Sequence, residues 1–501
     1  MTAIVEDYYD GSRTFQRLAD LIGVPIDQVN FLVTQFSALI LAGILRNFLS
    51  PTKVSPTTRH VFGLVNGLLL GYFCFGRQAI HLAGLPILCY IVMCTQNPRN
   101  MQNFVLATAL IYLSCVHYHR QIYNYGSYTL DITGPLMVIT QKVTSLVYNV
   151  HDGLMRSEEE LTPTQRHQAV KKMPMVLEYF SYVFHFQALM AGPVIYYRDY
   201  MDFIYGRMPS KLDDPKDNDK NSNDRAVIVN PPSPTWVVIK KVLASLLCAL
   251  MFVIFIPAYP IQRLKEDDFL YSTTVFYKIW YLIISTTLVR FKYYHAWIFA
   301  DAICNNSGLG FSGYNEKGKA VWDATSNVDI FGFEVSQSLK MSIEHWNKGT
   351  NRWLRSVVYE RVKHNKLIYT YVLSAIWHGF YPGYYLTFAN GAFITMVSRT
   401  ARRKIRPYFL GSKGKKFLYD TISFIATRII MAYITFSFVL LEFIPSIKVY
   451  LSLYMFPHIV GIAILLIAPR LPKVPSQTSS TETKSNSNSQ ELINGTARKS
   501  M

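Results

Sequence analysis

One histidine lies inside a stretch of the chain that is otherwise almost entirely apolar. His378 follows the run 367–377, which has the composition of a helix at membrane depth. An ionisable side chain at that depth is costly and by default marks a functional site. An apolar surround also disfavours the charged imidazolium, so we expect a neutral ring that can take a proton from an alcohol. The alternative is a buried histidine bonded to a backbone carbonyl.

A second polar residue, Asn347, lies upstream in a segment with helical periodicity. Apolar side chains recur on one face of this segment, at Val335, Leu339, Ile343, Trp346, Trp353 and Val357. The pattern predicts one amphipathic helix that lies along the membrane interface or lines a cavity. Considered alone, Asn347 is typical of a capping or solvent-facing asparagine. Together with His378 it becomes a candidate for chemistry.

The residues after His378 end its helix. Gly379, Pro382 and Gly383 form a Gly/Pro break. Such residues allow a backbone and a ligand to approach closely, although an ordinary helix end has the same signature.

Membrane helices must position these side chains. The chain has 501 residues, of which 50% are hydrophobic and only 16% charged, whereas about 25% are charged in ordinary soluble domains. The composition predicts an all-α polytopic membrane protein with about eleven transmembrane helices. Shorter runs broken by Gly and Pro predict re-entrant or interfacial pieces packed inside protein. The apolar segments lie near 31–45, 61–75, 80–94, 104–116, 134–150, 176–196, 242–258, 269–289, 367–377, 384–398, 421–444 and 449–467.

The formal net charge is +18. The basic residues cluster in loops between these runs, and the sequence has no nucleic-acid-binding motif. It indicates orientation by the positive-inside rule, contact with anionic lipid headgroups, and an anionic substrate. We expect no nucleic-acid partner. The six cysteines have no metal-ligand spacing and are interpreted as small buried hydrophobes, so no metal is predicted.

Several soluble-enzyme signatures are absent or accidental. The segment GLGFSG at 308–313 fits a dinucleotide-binding pattern, but no βαβ pattern surrounds it. The sequence contains no GxSxG or HExxH motif. No internal repeat supports a transporter.

The chain divides into an N-terminal segment over 1–28, a membrane domain over 29–472 and a tail over 473–501 that is predicted to be disordered and cytosolic. A mixed-charge, proline-containing loop over 206–234 interrupts the membrane domain and is predicted to be mobile. The acidic N-terminus predicts no cleavable signal peptide. Arg498 and Lys499 resemble a retrieval signal for the endoplasmic reticulum, although a chance basic pair is an equal alternative.

Several segments together resemble the membrane-bound O-acyltransferases, and more narrowly their lysophospholipid acyltransferase branch. They are EHWN at 344–347, WL at 353–354, SAIWHGFYPGYY at 374–385, DITGP at 131–135, QK at 141–142, AGP at 191–193, YRDY at 197–200 and RFKYYHAW at 290–297. The similarity extends from about residue 25 to 472, and the closest likeness is to animal enzymes that acylate lysophosphatidylethanolamine and lysophosphatidylserine. One departure is Gly349, a poor helix residue just after Asn347.

The resemblance implies a multi-pass protein of the endoplasmic reticulum membrane with a buried catalytic chamber. It implies transfer of an acyl group from acyl-CoA, a co-substrate rather than a cofactor, to the glycerol hydroxyl of a lysophospholipid. His378 and Asn347 would be the catalytic pair, with His378 taking the proton of the hydroxyl and Asn347 either orienting the acceptor or donating a hydrogen bond to the developing oxyanion. Further substrate contacts are predicted at Trp346, Trp377, Glu344, Arg352, Tyr293 and Gln141, and the nucleotide of CoA is expected on the cytosolic side near Arg352, Arg355, Arg361 and Lys363. The alternatives are another hydroxyl acceptor (a peptide, sterol or diacylglycerol) and a polytopic transporter.

Overall fold

The computed structural model of the chain describes residues 9–126, 129–207 and 231–472. Most of the polar loop predicted over 206–234 lies outside the described residues, as does the tail with Arg498 and Lys499. The described part is built from α-helices, with one two-stranded hairpin. The predicted all-α class is therefore confirmed.

Among the described residues, nine helices precede position 208. They are α1 Gln16–Ile22, α2 Ile26–Asn47, α3 Pro56–Phe75, α4 Ile80–Thr95, α5 Met101–Tyr123, α6 Thr133–Met155, α7 Pro163–Gln168, α8 Val176–Phe184 and α9 Tyr197–Tyr205. Local sequence explains several of these ends. Ser55, for example, accepts a hydrogen bond from the Thr58 amide ahead of Pro56 at the first position of α3, the preferred arrangement at a helix N-terminus.

Eleven helices follow the loop within the described residues. They are α10 Thr235–Phe255, α11 Asp267–Ser272, α12 Val275–Ser307, α13 Ile330–Glu334, α14 Leu339–His345, α15 Lys348–Leu354, α16 Lys366–His378, α17 Pro382–Lys404, α18 Lys413–Leu440, α19 Phe443–Ser452 and α20 Phe456–Ile467. Strands β1 Gly313–Tyr314 and β2 Ala320–Val321 pair antiparallel, with Gly313 opposite Val321. The short 3₁₀ turns are Gly76–Ala79, Glu158–Glu160, Ile256–Ala258, Ile261–Lys265, Arg406–Phe409 and Ala468–Arg470, and a π-helical turn, Arg355–Tyr359, follows α15.

Fewer helices than expected satisfy both the length and the composition of a simple membrane span. Four stretches do so among the described residues: Ile26–Asn47, Pro56–Thr95, Thr235–Lys265 and Lys413–Leu440. A fifth arises if α19 and α20, which meet at a bend of 72°, count as one broken span. Other long helices, such as α6 and α12, carry polar residues that are buried within the protein. The sequence-based number of about eleven is therefore not reproduced by this criterion.

The apolar segment near 176–196 is not a spanning helix. Helix α8 ends at Phe184, and the following residues are non-helical and almost all buried. Irregular backbone at membrane depth is tolerated when protein surrounds it. Lys142 helps to satisfy the helix end, because its Nζ donates to the carbonyl oxygens of Tyr182 (3.4 Å) and Val183 (3.0 Å). The prediction of broken pieces packed inside the protein holds here.

Helix α6 is the buried axis of the fold. Every residue over 139–150 is buried, which is typical of a helix surrounded by other helices. It contacts α4, α5, α8 and α15. Because α6 carries Gln141 and several other polar side chains, it brings hydrogen-bonding groups into the centre of the molecule.

The predicted amphipathic helix over 335–357 is broken into pieces. Helix α14 starts only after Ser338, whose hydroxyl accepts from the Met341 amide, and it ends at His345. Helix α15 then starts after Asn347, which adopts left-handed backbone angles (φ 42°, ψ 57°). Each piece is helical, but the N-terminal capping residues Ser338 and Asn347 start new helices within the predicted one. A hydrophobic pattern does not predict such breaks.

Candidate active site

His378 is the last residue of α16, at a sharp turn into α17. Gly379 has φ 108° and ψ −165°, a combination that is essentially restricted to glycine. Pro382 then occupies the first position of α17, where its fixed φ favours helix initiation. The Gly/Pro break therefore makes a tight helical hairpin with the histidine at its apex.

The hydrogen bond of His378 fixes its tautomer. Nδ1 lies 2.7 Å from the carbonyl oxygen of Ser374, one helical turn earlier. A carbonyl only accepts, so Nδ1 carries the proton and Nε2 carries the lone pair. Among the described residues Nε2 has no hydrogen-bond partner, and the side chain is half-buried. The backbone bond that the sequence offered as the alternative is present, and it leaves Nε2 available to accept a proton.

Aromatic side chains surround the His378 ring. Ring centroids lie 4.5 Å away for Trp377, 4.8 Å for Phe388, 5.2 Å for Phe438 and 6.0 Å for Tyr384. Such walls restrict water around the imidazole, which matters for any reaction in which water is a competing nucleophile.

Asn347 caps α15 and leaves one half of its carboxamide available. Its Oδ1 accepts from the Thr350 amide at 3.4 Å and from Nδ2 of Asn327 at 3.2 Å. Because an amide N–H needs an oxygen acceptor, these two bonds fix the orientation of the carboxamide. Nδ2 of Asn347 has no partner in the part of the chain that the structure describes. The capping role expected for a lone asparagine is present, and a hydrogen-bond donor remains beside it.

Helix α6 anchors both α15, which follows Asn347, and α16, which ends at His378. Nε1 of Trp377 donates to the Met137 carbonyl at 3.0 Å, and Nε1 of Trp353 donates to Oγ1 of Thr144 at 2.9 Å. The two tryptophan rings lie 5.6 Å apart. The anchoring points are separated by about 10 Å along α6, at 1.5 Å per residue. Asn347 and His378 therefore belong to helices fixed to one short stretch, with no direct hydrogen bond between them among the described residues.

Gln141 belongs to this same support. Its Nε2 donates to Oγ1 of Thr350 at 2.8 Å, and its side chain is fully buried. Gln141 and Trp377 thus hold the helices that carry the catalytic candidates, and their predicted contact with substrate stays a prediction.

Trp346 and Tyr293 also come together. The Trp346 ring packs against Tyr293 at 5.9 Å, Trp297 at 4.9 Å and Phe333 at 5.2 Å, measured between centroids. This aromatic cluster fixes the segment immediately before Asn347 against α12. The pairing links two of the motifs that are distant in sequence.

An ion cluster lies beside the aromatic cluster. Glu334 accepts from Nε of Arg290 at 2.9 Å, from the Tyr294 hydroxyl at 2.7 Å and from Arg428 at 3.2 Å. Burial alone would raise the pKa of the Glu334 carboxyl, but the two guanidinium groups and the tyrosine outweigh it and hold the pKa below its ordinary value. The cluster ties α13 to both α12 and α18.

The charged residues predicted to bind substrate divide into two groups. Glu344 is exposed and pairs with Lys340 at 3.4 Å, so its predicted contact with substrate stays a prediction. Arg355 pairs with Glu360 at 2.7 Å, and Arg361 binds the fully buried Asp152 through both of its terminal nitrogens, at 2.8 and 2.6 Å. Both arginines are therefore already occupied by carboxylates.

Arg352 and Lys363 differ from those two arginines. Both are exposed and neither forms a salt bridge with the residues described. They remain the available cations of the predicted set. Within residues 9–126, 129–207 and 231–472, no group of three His, Cys, Asp or Glu side chains is placed to hold a metal ion.

Two residues next to the candidates were not found from the sequence. His117 of α5 is buried, and its Nε2 lies 3.1 Å from the Trp377 carbonyl. Asn327, in the loop after β2, bonds to Asn347. A histidine in an apolar helix is weakly indicative of a functional site. An asparagine in a polar loop has no such indication in the sequence.

Comparison with known proteins shows which family the chain resembles. The model of the membrane-bound O-acyltransferase family matches residues 118–443, which include every candidate above. Lysophospholipid acyltransferase 6 of Drosophila melanogaster is 52% identical over 468 residues, covering 93% of this chain and 64% of the fly protein. Membrane-bound glycerophospholipid O-acyltransferase 1 of Mus musculus is 39% identical, covering 94% of this chain and 95% of the mouse protein. Lysophospholipid acyltransferase of Schizosaccharomyces pombe is 32% identical, covering 89% and 87%.

Proposed function

The chain belongs to the membrane-bound O-acyltransferase family, and on that premise we propose that it is a lysophospholipid acyltransferase that uses acyl-CoA. The acceptor is the free glycerol hydroxyl of a lysophosphatidylethanolamine, -serine or -choline, and the setting is the endoplasmic reticulum membrane. The names of the relatives support this class of acceptor. The observation that carries the proposal is the pair of available groups, Nε2 of His378 and Nδ2 of Asn347.

The chemistry is direct acyl transfer. Nε2 of His378 accepts the proton of the glycerol hydroxyl, and the oxygen attacks the thioester carbonyl carbon. A C–O bond forms, the C–S bond breaks, and the CoA sulfur leaves with the proton that the imidazolium returns. The Ser374 carbonyl faces Nδ1–H throughout and stabilises the charged ring.

Asn347 contributes the donor for the developing negative charge. Its Nδ2 is directed to the carbonyl oxygen of the thioester, where charge accumulates in the transition state. One such donor is worth about 3–4 kcal/mol in an established enzyme. Because Oδ1 is held by two other groups, the donor is preorganised and needs no rearrangement during the reaction.

The CoA nucleotide requires cations outside the membrane core. Arg352 and Lys363 are exposed and lie on the segment between Asn347 and α16. A guanidinium matches phosphate geometry well. We place the phosphates of CoA near these two side chains, while Arg355 and Arg361 hold the local structure.

An acceptor panel tests the function directly. Purified protein is given one radiolabelled acyl-CoA together with lysophosphatidylethanolamine, -serine or -choline, diacylglycerol, a sterol, or a peptide. The proposal expects labelled diacyl phospholipid from at least one lysophospholipid and none from the other acceptors. Labelled product only from a sterol, diacylglycerol or peptide, or consumption of no acyl-CoA with any acceptor, would contradict it.

A further inference from the structure

A buried asparagine outside all of the recognised motifs contacts three consecutive residues at the start of α15. Asn327 is only 6% exposed. Its Nδ2 donates to Oδ1 of Asn347 at 3.2 Å, and its Oδ1 accepts from the Gly349 amide at 2.8 Å. Its backbone carbonyl accepts from the Lys348 amide at 2.8 Å. The side-chain amide and the backbone carbonyl of Asn327 therefore all bond to the segment that carries Asn347.

These contacts determine which half of the Asn347 carboxamide is available. With Oδ1 turned toward Asn327 and the Thr350 amide, Nδ2 is on the opposite side. The backbone of Asn347 is left-handed, with φ 42°, a conformation that asparagine adopts more readily than other non-glycine residues. The bond from the following Lys348 amide to the Asn327 carbonyl helps to hold it there.

Gly349 allows this close approach. A Cβ at that position would lie 3.1 Å from Oδ1 of Asn327 and 3.3 Å from the Val194 amide nitrogen, tighter than ordinary van der Waals contact. The glycine that departs from good helix composition is thus explained by the space that Asn327 and Val194 occupy. The close packing favours glycine at this position despite its poor helix propensity.

The segment that carries Asn327 is itself anchored to two long helices. Asp301 of α12 accepts from the hydroxyls of Thr325 at 2.7 Å and Ser326 at 2.6 Å. It also pairs with Lys241 of α10 at 2.6 Å, and that lysine donates to the Trp322 carbonyl at 2.9 Å. The ion pair is largely buried, so the loop is held where α10 and α12 meet rather than by surface contacts.

We propose that Asn327 is a positioning residue for acyl transfer: it holds the Asn347 carboxamide so that Nδ2 faces the reacting thioester carbonyl. The inference rests on the proposed function, since it assigns Asn327 an effect only through Asn347. It predicts that Asn327 acts on the chemical step and not on the binding of either substrate.

The test replaces Asn327 by aspartate. Asn327→Asp keeps the size of the side chain and the acceptor for the Gly349 amide, but its carboxylate cannot donate to Asn347. Asn315→Asp is the matched control, because Asn315 is an exposed turn residue whose side chain only accepts from backbone amides. The kcat and KM for acyl-CoA and lysophosphatidylethanolamine are measured for wild type, both single variants, Asn347→Ala and the double variant Asn327→Asp/Asn347→Ala.

The expected result is a fall in kcat of at least about tenfold for Asn327→Asp, bounded by the roughly 10²–10³-fold loss that follows removal of an oxyanion donor. Both KM values should stay within about twofold, and Asn315→Asp should match wild type. In the Asn347→Ala background, Asn327→Asp should lower kcat by less than about twofold, because coupled residues are not additive.

Two results would overturn the inference: a wild-type kcat for Asn327→Asp, or the same fold-loss with and without the Asn347 carboxamide. If Asn327→Asp does not give folded protein, Asn327→Ser, which removes both carboxamide contacts without burying a charge, is judged by the same outcomes. A wild-type protein that acylates no lysophospholipid would instead refute the proposed function, so the two failures are distinguishable.

Discussion

Substitution of Gly379 by alanine tests whether the turn after His378 is required for activity. At φ 108° and ψ −165°, a residue with a Cβ is strained by about 1–3 kcal/mol. The added Cβ would also lie 3.0 Å from Cγ and Nδ1 of the buried His117 ring. Overpacking of this kind costs about another 1–3 kcal/mol.

The expected consequence is a displaced His378 side chain rather than an unfolded protein. The helical hairpin has other contacts, so a cost of about 2–6 kcal/mol from the two terms is relieved most easily by movement of the turn itself. A displacement of about 1 Å at a reacting group can lower a rate about 10²-fold. We therefore predict that Gly379→Ala lowers kcat by about two orders of magnitude.

The assay is acyl transfer from labelled acyl-CoA, normalised to folded protein by size-exclusion chromatography. Gly414→Ala is the matched control, since a Cβ there meets nothing within 4 Å. The double variant Gly379→Ala/His117→Ala separates the two terms: it removes the crowding and leaves the backbone strain, so partial recovery is expected. Wild-type activity in Gly379→Ala would refute the role given to this turn.

Three further predictions concern the Glu334 ion cluster, the tryptophan that anchors α15, and an arginine proposed to bind CoA. Glu334→Gln leaves two arginines without their carboxylate and should destabilise the protein by about 2 kcal/mol, less than the 3–5 kcal/mol of a fully buried pair. The pKa of the Glu334 carboxyl is lower in the folded protein than in the unfolded chain. Its contribution to the free energy of unfolding is therefore complete above the unfolded pKa of about 4.3 and is lost as the pH falls through the folded pKa. The thermal-melt difference from wild type should therefore shrink in acid, and a constant difference would count against it. Trp353→Phe removes the donor to Thr144 and shortens a fully buried ring. The lost hydrogen bond and the cavity should together cost about 2–4 kcal/mol, seen as a lower melting temperature; an unchanged melt contradicts this. Arg352→Ala should raise KM for acyl-CoA about tenfold, with kcat unchanged, as expected for a lost charged hydrogen bond; an unchanged KM would remove Arg352 from the CoA site.

The identity of the catalytic candidates was accessible from the sequence, but their geometry was not. A histidine in an apolar run is visible because burial of an ionisable group is costly. The tautomer depends on the Ser374 carbonyl and the available donor of Asn347 depends on Asn327. Neither contact leaves a periodic pattern, since one is to backbone and the other comes from a polar loop.

The fold class was also predictable, while the path of the helices was not. Apolar composition indicates a polytopic helical protein, yet it does not distinguish a lipid-facing helix from one enclosed by protein. Segment 176–196 illustrates this, because it is apolar but ends as a helix at Phe184 and continues as buried irregular chain. The break at Asn347 has a similar origin: a single left-handed residue divides an otherwise continuous amphipathic pattern.

The role of His378 as the general base is tested by the acyl-transfer rate of His378→Ala beside that of His364→Ala, which replaces an exposed histidine just before α16. Both are measured with one labelled acyl-CoA and lysophosphatidylethanolamine, at equal amounts of folded protein. We predict that His378→Ala loses at least about 100-fold in rate, the lower range for general-base catalysis, while His364→Ala keeps the wild-type rate. A His378→Ala rate within tenfold of wild type would contradict the assignment of its Nε2 as the base.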